Sequence, residues 1–137
     1  MPPKGIMVAN YCIMTWNDFT HNEKKAILKS AMILAQANGR INYSQSMYLN
    51  TLLIRMDEPQ SIIDEVESMW KLTMRHYLKS MSSEKKEIVI SIWYDMASRS
   101  FGGETFSAVK SFTYYPDILP VVKELARDCN IDISIYV

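Results

Sequence analysis

Between two helix-like segments the chain reads Ala35-Gln36-Ala37-Asn38-Gly39-Arg40-Ile41-Asn42-Tyr43-Ser44-Gln45, a helix stop, a tight turn and a helix start in quick succession. Its layout is that of a carboxylate-bearing interhelical loop. Ca2+ and Mg2+ want several oxygen ligands and net negative charge. This loop offers amides where carboxylates would be expected, and an amide oxygen coordinates an ion without neutralising it. The same residues read well as plain structure. Gly39 accepts the left-handed conformation that closes a helix, Asn38 beside it is a common helix stop, and Gln45 can bond the loop backbone. The structural reading is preferred, and no metal ion is expected here.

Other reactive groups are sparse. His21 and His76 are the only histidines, and neither belongs to an HxxxH or HxxE pair, so zinc is disfavoured. Cys12 and Cys129 are the only cysteines and form no CxxC pattern. Free thiols in a reducing compartment are expected rather than a disulfide. A thiol protease would need Cys12 and a histidine brought together in three dimensions. The GxSxG elbow, the P-loop and GxGxxG are absent. A non-enzymatic protein without a cofactor is the expectation.

Two clusters bear on binding instead. Asp64, Glu65 and Glu67, near Asp57 and Glu58, read either as an acidic docking face for a basic partner or as a solvated face. The solvated face is preferred, because negative charge suits the start of a helix. Phe112, Tyr114 and Tyr115 beside Pro116 are the best sign of partner binding, since aromatics commonly anchor interfaces. The alternative, a loop folded back over its own rings, has equal weight.

The elements that position these residues follow from composition and pattern. A chain of 137 residues with 48% hydrophobic content suits one domain with a real core. Lys+Arg and Asp+Glu stand at 15 each, which argues against a dedicated nucleic-acid binder and against recruitment to an anionic membrane. Ten methionines read as initiator plus filler of irregular gaps between helices. The apolar run over 5–16 mimics a signal peptide but lacks a convincing cleavage site, so it is read as part of the fold of a cytoplasmic protein. No segment reaches the ~18 apolar residues of a membrane span.

Thr20-His21-Asn22-Glu23 is a capping box and predicts a first helix to about residue 37, with Lys24, Lys25 and Lys29 on its solvated side. Ser44 is the expected cap of a second helix through Met56. A third, long helix is expected over 60–80, with Ile62, Val66, Met69, Thr73 and Tyr77 in one row and Ile63, Trp70, Met74 and Leu78 in the next. Ser82 or Ser83 caps a fourth, which ends near Phe101-Gly102-Gly103. A short helix over 104–112 and a last one from Asp117 to about Cys129 follow. Residues 131–137 alternate as a strand does; such a strand must pair with residues 6–14, pair with another chain, or stay frayed as a tail. The expected fold is all-α, a compact single-domain bundle of five to seven helices. The stretches 20–56 and 83–112 read as two halves of a pseudo-repeat, each opening on a capped, Lys-rich turn.

Asp18-Phe19-Thr20, Glu23-Lys24-Lys25, the run from Leu34 through Gly39 to Ile41, and Gln45 resemble the tellurite-resistance TerB-like family of small helical domains. The resemblance spans roughly 17–128, and its pattern-like part is 18–45. It implies an all-α fold of two related halves. It also implies a divalent-metal, stress-response function as the alternative to a protein-interaction module, because the family's loop acids are suspected cation ligands. Carried over by position, those acids fall on Asn38 and Gln45, both neutral here. Ser98-Arg99-Ser100-Phe101-Gly102-Gly103-Glu104, in the second half, keeps a Gly and a Glu only. The expected function is therefore a helical module that binds a protein partner or a second copy of itself.

Overall fold

The computed structural model describes residues 14–99 and 110–137. Among them the fold is all-α, with six α-helices and no strand. The apolar run before residue 14, Cys12, the Gly102-Gly103 stop and residues 104–109 of the helix expected over 104–112 lie outside the described residues, and the second half of the pseudo-repeat is described only over 83–99 and 110–112.

Helix α1, His21–Ala35, is the hub. Its capping box forms as the sequence predicts: the Glu23 N–H donates to Thr20 Oγ1 at 3.1 Å, and the Thr20 N–H donates to Glu23 Oε1 at 2.9 Å. Ala26, Ile27, Leu28, Ala31, Met32, Leu34 and Ala35 are all buried. A helix apolar on so much of its circumference must be surrounded, and α1 packs against each of the other five α-helices. It ends at Gln36, and Gly39 turns the chain with φ +112°, a conformation that an L side chain resists.

Helix α2, Tyr43–Met56, is capped by Asn42 rather than the expected Ser44. Asn42 Oδ1 accepts from the Gln45 N–H at 2.8 Å, and Gln45 Oε1 accepts from the Asn42 N–H at 3.0 Å. The pair is a capping box in its own right. The helix stops at Asp57, in the left-handed region with φ 56°.

The single long helix expected over 60–80 is two helices. Helix α3, Ile62–Ser68, and helix α4, Lys71–Lys79, meet at an elbow where Met69 and Trp70 are extended, with ψ 131° and 144°. The elbow resets the register. Met74 and Leu78 point inward from α4, while Trp70 and Leu72 stand in water.

Helix α5, Ser83–Ser98, starts at Ser82, whose Oγ accepts from the Lys85 N–H at 3.3 Å. It buries Val89, Ile90, Ile92, Trp93, Met96 and Ala97. Helix α6, Leu119–Asp128, begins after Ile118 and not at Asp117, with Pro120 in its first turn, where a missing N–H costs nothing. It closes on Asn130 at φ 53°, and the Ile131 N–H reaches the Ala126 carbonyl at 2.8 Å. The strand pattern over 131–137 is not realised. Ile131 and Ile133 bury, but Ser134–Tyr136 winds into a 3₁₀ turn that turns Ile135 outward. Tyr136 then donates its hydroxyl to Glu87 at 2.9 Å. A lone strand would have left its backbone groups without partners; the turn satisfies one of them within the segment, the Tyr136 N–H bonding the Ile133 carbonyl at 2.8 Å.

Candidate functional site

In the loop after α1, Asn38 is exposed and Gln45 is 2% exposed. The Gln45 side-chain oxygen Oε1 serves the cap of α2, and Asn42 also donates through Nδ2 to the Arg99 carbonyl at 2.7 Å, joining the loop to the end of α5. Asn38 and Gln45 are therefore not brought together as a ligand set; one faces water and the other holds backbone. No group of three or more His, Cys, Asp or Glu side chains converges as a metal site among the described residues.

The lysines of α1 reach across to the end of α2 and to α3, while Asp64, Glu65 and Glu67 stay exposed, as the sequence predicts for a solvated face. Lys24 Nζ donates to the Met56 carbonyl at 2.9 Å and approaches Glu58 at 3.5 Å. Lys25 reaches Glu65 at 3.5 Å, and Lys29 donates to the Glu67 carbonyl at 3.0 Å. His21 bridges Glu58 at 3.1 Å and Glu65 at 3.3 Å. The hydrogen bond from His21, with Lys25 beside it, holds the Glu65 carboxyl below its ordinary range. At the other edge of α1, Lys85 forks onto Glu23 at 2.9 and 3.1 Å. The lysine side of α1, read from sequence as solvated, thus clamps onto its neighbours, and the acidic face of α3 remains exposed. His76, the other histidine, packs edge-on against Tyr77, with ring centroids 5.6 Å apart.

The aromatic trio divides. Phe112 and Tyr115 are buried at 0% and 1% exposure, and Tyr94 meets both rings edge-on at 5.5 and 5.7 Å. Tyr114 alone stands out, 51% exposed. Cys129 is free and buried, and burial pushes its thiol up to about 11, away from nucleophilic use.

Exposed apolar side chains stand beside a concavity at the start of α4. Trp70 and Leu72 are 76% and 70% exposed. Glu65, Ser68, Trp70, Thr73 and Tyr77 line one groove of about 420 Å3. Thr73 and Tyr77 also line a second, of about 640 Å3, with Leu72, Arg75, His76 and Lys79. The shared residues make the two grooves one continuous surface. Arg75 is held across it by Asp128 of α6 at 3.3 Å. Sequence reasoning missed this face because Trp70 fits an apolar row of the expected long helix. The available signal was Leu72, an apolar residue that belongs to neither row. A second exposed row, Tyr43, Met47 and Ile54, runs along α2 beside uncharged Ser46 and Asn50.

Comparison with protein-family models, with curated proteins and with solved structures finds no match to this chain. No helix among the described residues is long and apolar enough to cross a membrane.

Proposed function

We propose that the chain is a non-enzymatic helical interaction module that takes a protein partner on the outer face of α4. The observation that carries this reading is the exposure of Trp70 and Leu72 at the lip of the paired grooves. Large side chains of this kind gain roughly 1.5–3 kcal/mol each when fully buried, and indoles set beside a concavity are frequent energetic centres of interfaces. Cations spaced along α4 supply a polar rim. We take the compartment to be the cytoplasm, where an unpaired thiol such as Cys129 persists. Membership of the TerB-like family belongs to the same proposal, supported by the α1–α2 hairpin that closes at Gly39. Neither a membrane nor a nucleic acid is proposed as partner.

Photo-crosslinking tests the site. A p-benzoylphenylalanine at position 72 is expected to form a discrete covalent adduct in cells, and the same probe at position 54 on α2 is not. Adducts from 54 alone, or from neither position, would overturn the assignment of the docking face.

A further inference from the structure

The strip that runs from α3 into α4 is bipolar. Its first helix carries Asp64, Glu65 and Glu67 and no Lys or Arg. Its second carries Lys71, Arg75, His76 and Lys79 and no Asp or Glu. Glu65 is shared with His21 and Lys25, and Arg75 with Asp128. Asp64, Glu67, Lys71 and Lys79 make no ion pair among the described residues. The exposed Trp70 and Leu72 stand between the two poles. The arms are comparable in length, since seven and nine helical residues span roughly 10 and 14 Å.

A surface with an acidic end, an apolar middle and a basic end is its own complement when turned end for end. In a two-fold contact each patch meets the other patch of its twin, so the acidic arm of one copy faces the basic arm of the next. A parallel arrangement would set like charges together, so the pattern also selects the orientation. The chain's zero formal charge leaves no long-range repulsion between copies.

We infer that the occupant of the α4 face is a second copy of this chain, docked antiparallel across the elbow with Trp70 and Leu72 of each copy at the centre. This inference rests on the docking reading above. The test is sedimentation equilibrium of the full chain over a wide concentration range. The unsubstituted protein is expected to dimerise. Trp70→Ala with Leu72→Ala should weaken association roughly tenfold or more, as loss of a central apolar anchor does. Both positions are exposed, and unchanged circular dichroism establishes that the variant is folded. Asp64→Lys alone and Lys79→Glu alone should each weaken the dimer a few-fold, within the range of exposed ion pairs. The chain carrying both reversals should recover it. A monomer at all concentrations overturns the second-copy inference; if position 72 still crosslinks to a different protein, the docking reading stands without it. A dimer indifferent to the apolar pair, or one without the charge-reversal recovery, overturns this face and this orientation respectively.

Discussion

The indole N–H of Trp93 on α5 donates to Ser30 Oγ on α1 at 2.8 Å, with both residues at 0% exposure. The Ser30 hydroxyl in turn donates to the Ile27 carbonyl one turn back, also at 2.8 Å. Two buried polar groups on the two central helices are thereby satisfied at once. Ser30→Ala would strand the indole donor in the core, which costs about 1–3 kcal/mol. The expected outcome is a lower urea midpoint with an unchanged slope. An unchanged midpoint would mean that the indole finds another acceptor.

Asn42 holds two places together, the start of α2 and the end of α5. Asn42→Ala is expected to cost about 1–2 kcal/mol, the upper part of the range for a lost cap, because the bond to Arg99 goes with it. Ser44→Ala, at the position the sequence favoured, should stay within about 0.5 kcal/mol. Thermal melts of the two variants side by side decide which residue is the cap.

The loop that carries Asn38 and Gln45 should ignore hard cations. Calorimetric titration with Ca2+ or Mg2+ is expected to give no micromolar binding heat, since the Gln45 oxygen is committed to backbone. A micromolar heat that Asn38→Ala or Gln45→Ala abolished would return the divalent-metal reading to first place.

Acid should loosen the clamp around α1. Burial raises the Glu23 carboxyl, but the Thr20 N–H and the Lys85 ammonium outweigh it, and the net position is below the ordinary 4.5. Glu65 is lowered by its bond to His21. A carboxyl whose folded value lies below its unfolded one contributes fully above the unfolded value. It loses that contribution as pH falls through the folded value. Stability should therefore drop between about pH 5 and pH 3, and Glu23→Gln should flatten that limb in urea titrations run across the same interval. Identical limbs would remove Glu23 from the account.

The order and kind of the helices were legible because local signals and packing agree. Thr20 and Glu23 form their box, Gly39 turns where it should, and the apolar face of α5 buries as its spacing requires. The α2 cap was legible too, since Asn42 and Gln45 stand at capping-box spacing, but Ser44 drew attention away from them. The elbow at Met69 and Trp70 was not legible. No Gly or Pro marks it, and the apolar rows run through it without interruption, so only the docking of α3 and α4 onto α1 reveals it. The same break moved Trp70 from an expected core position to the surface, which is why the candidate site escaped a pattern that assumes one straight helix. At the C-terminus, alternation over 131–137 carried a true burial signal at Ile131 and Ile133 but a false conformation, because period two is blind to whether a neighbouring strand exists.

One arm reaches further than its length implies. The ammonium of Lys24 rests on the final carbonyl of α2, beside Glu58, just where the chain passes through the left-handed Asp57. The opening turn of one helix is thus the stopper of another, and the two ends share a single joint. Whatever displaces the root of α1 unseats the tail of α2 with it, so the hairpin answers to disturbance as one lever rather than as two rods.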